Sequence, residues 1–256
     1  MNKLSLAGTV WVASDIHLGP ETPKTAIAFH DFLDKACANA DALILCGDIF
    51  DAWIGDDFAQ AAPPDWLLRT LDKLGQFSTT TPLWIGRGNR DFLIGHALAQ
   101  RVGAQLLPDR VCLDTDYGHV LLSHGDEYCT ADASYQRFRR IVRTPFIQKA
   151  FLALSLTLRR GIADWARQRS MAANRNKSAR IMDVETRAVE QAFMEYDVDT
   201  MVHGHTHRPA VHQHTVGGRL RQRIVLPDWD YDHGEPPRAG WVSIDCNGTV
   251  LHQQDW

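Results

Sequence analysis

The amino-acid sequence predicts an α/β protein: an αββα sandwich of two mixed sheets that carries an inserted helical lid. Three observations predict it. In the first half, short apolar runs alternate with helical stretches, as βαβ units do. In the second half, β-prone runs flank turn residues at hairpin spacing. Between the two, Asp132 to Tyr196 holds no convincing strand and reads as helices.

Taken in order, strand Thr9–Ala13 precedes a helix over about 23–38, strand Ala42–Cys46 one over about 64–74, and strand Leu83–Gly86 one over about 91–101. Hairpins follow at 111–114 with 119–123 around Asp116-Tyr117-Gly118, and at 211–216 with 219–226 around Gly217-Gly218. A third, 241–245 with 249–253, turns at Asn247-Gly248. Strand Thr200–Val202 belongs to the same half. The helical stretch is expected to break near Thr144-Pro145, where proline suits a first helical turn, and near Gly161.

With 256 residues, 45% hydrophobic and 23% charged, the chain can fill one α/β domain with an insertion. Its five cysteines, Cys37, Cys46, Cys112, Cys129 and Cys246, are scattered without a C-x-x-C pair, which fits free thiols in a reducing compartment. The apolar N-terminal run leads directly into Asp15, a candidate ligand, and so reads as the first strand rather than a signal peptide.

Each strand is followed by chemistry. Asp15-Ile16-His17, Gly47-Asp48, Gly88-Asn89-Arg90-Asp91, Ser123-His124 and Gly204-His205-Thr206-His207 each come just after an apolar run. Ligands past strand ends converge on one sheet edge, where open α/β sheets bind substrates. Singly these motifs are weak: Gly-Asp is a common turn, and a lone histidine is usually a satisfied core or surface residue. Jointly they supply seven oxygen and nitrogen donors, enough for two metal ions that share one carboxylate, with Asp48 the natural bridge. Two such ions, about 3.5–4 Å apart, clamp a phosphoryl group and activate water. Carboxylate, amide and imidazole without thiolate favour Mn²⁺, with Fe²⁺ or Zn²⁺ behind it, over Ca²⁺ or a structural zinc site.

The order of these motifs resembles the calcineurin-like metallophosphoesterases. Ser14-Asp15-Ile16-His17-Leu18, Gly47-Asp48-Ile49-Phe50-Asp51, Gly88-Asn89-Arg90-Asp91-Phe92 and His203-Gly204-His205-Thr206-His207-Arg208-Pro209 resemble the branch acting on UDP-2,3-diacylglucosamine in lipid A biosynthesis. The resemblance implies that one metal is held by Asp15, His17, Asp48 and His207, and the other by Asp48, Asn89, His124 and His205. It implies a core of residues 1–131 and 197–256 under a lid of 132–196. In the lid, Asp132, Ser170, Asn174 and Lys177 would bind the substrate, joined near the phosphates by the catalytic residues Asn89, Arg90 and His205. The implied reaction is attack of a metal-bridging water on the α-phosphorus, giving UMP and the diacylglucosamine 1-phosphate. Alternatives are a dinuclear phosphoesterase for a soluble nucleotide diphosphate or phosphodiester, and a non-catalytic scaffold, which the full ligand set disfavours.

Most of the superfamily carries histidine directly after the ligand asparagine; here it is Arg90. Arginine cannot act as an acid near neutral pH, but its planar fork suits bidentate phosphate contact. An alkoxide leaving group benefits from a proton donor, whereas a phosphate monoester needs mainly charge stabilisation. Arg90 therefore points to a pyrophosphate bond. Arg87 and Ala131 depart from the family pattern without removing a ligand, and His203 is expected just behind the ligands.

From Arg137 to Arg187 there are 13 Lys or Arg against Asp164, Asp183 and Glu185, a net of +10, which leaves −14 for the rest of a chain of total charge −4. Solvated charge is the ordinary reading of a basic run. This insertion also holds an uncharged run from Ala150 to Leu158, too short to span a bilayer. Apolar and arginine-rich helix faces fit an acyl-chain groove or a peripheral position on the cytoplasmic leaflet of the inner membrane; packing onto the body fits them equally. No nucleic-acid motif accompanies the charge.

Overall fold

A computed structural model describes residues 2–61, 63–174 and 183–255. Strands β1 (Lys3–Ser5) and β2 (Val10–Ala13) precede helix α1 (Pro23–Asn39), β3 (Ala42–Leu45), α2 (Asp65–Ser78), β4 (Leu83–Ile85), α3 (His96–Arg101) and β5 (Gln105–Leu106). The hairpin β6 (Arg110–Thr115) and β7 (Gly118–Ser123) leads into helices α4 (Ala133–Val142), α5 (Pro145–Leu152), α6 (Leu156–Asn174) and α7 (Thr186–Tyr196). Strands β8 (Thr200–His203), β9 (Ala210–Val216), β10 (Arg219–Val225), β11 (Arg238–Asp245) and β12 (Gly248–Asp255) complete the chain.

Two six-stranded mixed sheets form, in the orders β12-β11-β2-β3-β4-β5 and β1-β6-β7-β8-β10-β9. In the first, β2, β3, β4 and β5 run parallel, as crossover helices require, and the β11–β12 hairpin adds antiparallel strands. β2, β3 and β4 are buried along their whole length and read as continuous apolar runs, as strands covered on both faces do. One face sends Val12, Ile44 and Trp84 against Val120, Leu122 and Val202 of the other sheet. The opposite face packs Leu43 and Leu45 on Phe29, Leu33, Leu67 and Leu71 of α1 and α2. Beyond the second sheet, α7 buries Val189, Ala192 and Phe193 with Met201. Helix, sheet, sheet, helix is the expected αββα order.

Several boundaries differ from the sequence reading: α2 runs on to Ser78, β11 begins at Arg238, and two further differences have a visible cause. The helix expected over 91–101 begins only at His96, because the carboxylate of Asp56 accepts from the main-chain N–H of Gly95 at 3.0 Å and Leu98 at 2.9 Å. That cap from a distant loop fixes the start. Helix α6 runs through Gly161, where a break was expected. An interior glycine costs about 1 kcal/mol and the helix tolerates it; the break falls instead between Leu152 and Leu156.

Helices α4 and α5 contain no buried residue. Phe146 is 78% and Trp165 60% exposed, while Phe151 packs against the hydrophobic core. Helix α6 is anchored by Arg159, only 2% exposed, whose guanidinium donates to Ile54 O at 2.6 Å, Leu154 O at 3.0 Å and the carboxylate of Asp57. Among the described residues no helix is long and apolar enough to cross a membrane.

Candidate metal centre

The C-terminal ends of β2, β3 and β4 are neighbours in one sheet and those of β7 and β8 in the other, and Cys46 joins the two sets through Ser123 O and His124 Nδ1. Among the described residues, six that are not glycine have positive φ, and five of them are expected ligands: Asp15 (56°), His17 (54°), Asp48 (51°), His205 (69°) and His207 (54°). This region is rarely occupied by residues with a side chain and costs about 1–3 kcal/mol each. It is held by cross-loop hydrogen bonds: Asp15 N to Gly47 O at 3.1 Å, His17 N to Asp48 O at 3.0 Å and Trp229 N to Asp15 O at 3.0 Å. Gly47 and Gly88 allow their loops to approach; a Cβ on Gly47 would sit 2.5 Å from Gly88 N. Fully buried Asp91 ties the same loops, accepting from Gly88 N and Ile49 N at 2.7 Å each and from Asp48 N at 3.2 Å.

All seven expected donors come together. Asp15, His17 and His207 form one group of ligand atoms within 4.8 Å of one another, and Asp15, Asp48 and His124 a second. Asn89 Oδ1 lies 3.2 Å from His124 Nε2 and 2.7 Å from His205 Nδ1. Both carboxylates reach both sides. Asp15 belongs to each group, and Asp48 Oδ2 lies 3.9 Å from His17 Nδ1 while its Oδ1 lies 3.7 Å from His124 Nε2.

The donor set fits divalent cations. Asp15 Oδ1 and His17 Nδ1 are buried without a hydrogen-bond partner, and an orphaned buried donor or acceptor costs about 1–3 kcal/mol. His17 Nε2 and His207 Nε2 face each other at 3.2 Å. Burial, with Asp91 and Asp15 close by, pushes Asp48 up to about 7 despite His124. Burial and neighbouring His124 push His205 down to about 4. A carboxylate that resists ionising, Asp48, beside an imidazole that resists protonation, His205, is what a shared cation relieves. Burial would raise Asp15 too, but His207, whose Nε2 lies 3.4 Å from Asp15 Oδ1, and the charge of His124 hold it well below the usual carboxylate range.

Residues behind the donors aim them. His207 Nδ1 lies 3.4 Å from Asp228, which Arg238 grips through Nε at 3.0 Å and Nη2 at 2.7 Å. Burial opposes charge on His207, but Asp15 and Asp228 push it up to about 10. Carboxylate partners of this kind fix the ring of a ligand histidine. His203 is fully buried, its Nδ1 2.9 Å from Gly204 O and its Nε2 3.0 Å from Arg223. Asp228 has no local signature in the sequence; Asp91 sits inside a quoted motif, but nothing there marks it as an acceptor of three amides.

Arg90 stands beside the centre. Its main-chain N donates to Asp48 Oδ1 at 2.8 Å, its Nε lies 3.7 Å from Asp48 Oδ2 and its Nη1 donates to Asp51 Oδ1 at 2.5 Å. The other oxygen of Asp51 accepts from Arg167 on α6. The fork is thus already engaged by a carboxylate. Of the expected lid residues, Asp132 caps α4, accepting from Tyr135 N at 3.0 Å and Ser134 Oγ at 2.7 Å. Ser170 and Asn174 lie on the last turns of α6, their side chains outside the described set, and Lys177 lies outside the described residues.

This fold with this donor set defines a metal-dependent phosphoester hydrolase. A family model described as calcineurin-like phosphoesterase matches residues 8–209, and the chain belongs to that family. It is similar to the UDP-2,3-diacylglucosamine hydrolase of Bordetella parapertussis, 57% identical over 248 residues that cover 97% of this chain and 96% of the relative. The protein of the same name from Serratia proteamaculans is 43% identical over 223 residues, covering 86% and 90%.

Proposed function

We propose that the chain hydrolyses the pyrophosphate bond of UDP-2,3-diacylglucosamine, releasing UMP and 2,3-diacylglucosamine 1-phosphate (lipid X) in lipid A biosynthesis. The observation that carries this reading is Arg90 beside Asp48, a guanidinium rather than a proton donor next to the donor cluster. The likeness to the Bordetella enzyme over nearly the whole chain supports it.

Asp15, His17, Asp48 and His207 would hold one divalent cation, and Asp48, Asn89, His124 and His205 the other. The oxygen and imidazole donors, without thiolate, favour Mn²⁺. Bound there, the cations supply Lewis-acid charge and lower the pKa of water. The guanidinium of Arg90 can exchange the carboxylate of Asp51 for a phosphate, neutralising the charge that grows on the leaving lipid phosphate. That leaving group needs no proton, so a guanidinium suffices where an alkoxide would need an acid. Asn89 Oδ1, His124 Nε2 and His205 Nδ1, which meet in the structure, would turn to the second of these cations together. Attack at the α-phosphorus makes UMP the product that gains solvent oxygen.

Residues 132–196 serve as the lid, with Asp132, Ser170, Asn174 and Lys177 on the glucosamine side. Its basic charge and exposed Phe146, Leu158 and Trp165 suit peripheral contact with the anionic cytoplasmic leaflet of a bacterial inner membrane. The test is a panel of lipid-linked and soluble UDP compounds with Mn²⁺ in H₂¹⁸O, products identified by mass. Label in UMP is expected. Turnover of soluble nucleotides alone, or label in the lipid product, would overturn the assignment.

A further inference from the structure

Two residues beyond His124, the chain buries a carboxylate that no metal or substrate role uses. Asp126 is 0% exposed, and three groups of the first lid helix close on it. Tyr135 Oη donates to Asp126 Oδ2 at 2.6 Å, Arg139 Nε donates to the same oxygen at 2.7 Å, and Arg143 Nη2 lies 3.7 Å from it. Gln136 Nε2 donates to the main-chain oxygen of Asp126 at 2.8 Å and to Cys129 O at 3.2 Å. Tyr135, Arg139 and Arg143 are spaced four residues apart, which puts them on one helical face. Read as sequence, Arg139 and Arg143 were part of a basic run; folded, they join Tyr135 in a comb whose teeth meet one acid.

The far ends of these side chains touch the centre. The ring of Tyr135 stacks on His205, with centroids 6.0 Å apart and planes 25° apart. Arg143 Nη2 donates to Gly88 O at 3.0 Å, the residue before Asn89, while its Nη1 pairs with Asp109 at 2.9 Å. Main-chain Gly204 N donates to His124 O at 2.9 Å, so the loops of His124 and His205 are joined as well. No residue of helix α4 is fully buried, and its apolar Phe138 and Ile141 are about half exposed, so polar contacts carry much of its attachment. A charge-assisted hydrogen bond in a water-poor site is worth about twice a neutral one, and breaking a buried pair is costly because the partner charge is stranded.

We infer that Asp126 is a positioning residue: by gripping Tyr135, Arg139 and Arg143 it fixes the root of the lid to the metal centre and sets the orientation of His205 and of the Gly88–Arg90 loop. The lid's first helix is therefore not a free flap. The effect on turnover rests on the proposed function; the mechanical part does not.

The experiment compares Asp126→Asn, Tyr135→Phe and the double variant by amide hydrogen exchange and by steady-state kinetics on UDP-2,3-diacylglucosamine at saturating Mn²⁺. Asp126→Asn keeps the shape and removes the charge. Exchange across α4 should quicken at least tenfold while β2, β3 and β8 stay protected, and kcat should fall at least tenfold with KM within threefold. Tyr135→Phe should add less than threefold to kcat loss in the Asp126→Asn background, because both changes cut the same link. Unaltered exchange in α4 overturns the inference whatever the kinetics. Faster exchange throughout both sheets overturns it too, because Asp126 would then serve the fold as a whole. If the wild-type chain fails to turn over this lipid, the function falls and the exchange result alone decides the tether.

Discussion

Asp91→Ala should destabilise the protein by about 3–5 kcal/mol. The side chain is completely buried and receives three main-chain N–H groups, from Gly88, Ile49 and Asp48. Removing it strands all three, each at about 1–3 kcal/mol. Part of that loss is offset, because burial raises the Asp91 carboxyl pKa, so alanine also abolishes a desolvation cost. For a chain of this length about 1 kcal/mol moves Tm by about 2 °C, so a fall of about 6–10 °C is expected by calorimetry. Asp91→Asn retains one acceptor oxygen and should lose about 1–3 kcal/mol. The two loops that Asp91 ties carry Asp48 and Asn89, so Mn²⁺ affinity measured by equilibrium dialysis should drop at least tenfold in the alanine variant. A Tm within 2 °C of wild type together with unchanged affinity would refute the claim that this carboxylate sets the register of the two loops.

Asp48→Ala should abolish turnover and leave at most one Mn²⁺ per chain by elemental analysis; two retained metals would remove Asp48 from its bridging place. Arg90→Lys keeps the charge but loses the fork, and kcat/KM for the lipid pyrophosphate should fall at least tenfold, about 1.4 kcal/mol of transition-state stabilisation, at constant metal content. Phe146→Ser with Trp165→Ser alters only exposed surface, so Tm should hold while sedimentation with anionic vesicles weakens at least fivefold; unchanged sedimentation would separate these residues from any membrane contact.

The clustered donor residues were legible because metal chemistry is written in short contiguous segments: Asp15 and His17, or His205 and His207, stand within three residues of each other as candidates. The parallel strands were legible for a similar reason, since a run such as Ala42 to Leu45 is apolar throughout. What escaped depends on partners far away in the chain. The start of α3 is fixed by Asp56, which no local pattern around His96 announces. Asp228 and Asp126 look like surface acids until Arg238 and Tyr135 are seen beside them. Gly161 misled because propensity is a weak prior, and a helix pinned at Arg159 accepts it.

The left-handed backbone at five of the seven donors bears on any attempt to move this chemistry elsewhere. A designer who copied Asp15, His17, Asp48, His205 and His207 onto the strand ends of another α/β sheet would supply the right atoms along the wrong vectors. An ordinary β-to-loop exit carries φ negative and sends successive side chains to opposite faces. Here each positive φ folds the main chain under the side chain, and the loops brace one another through amide-to-carbonyl pairs such as His17 N to Asp48 O. The transferable unit is consequently the set of interlocked turns with glycines where they cross, and residue identity alone would not carry the site.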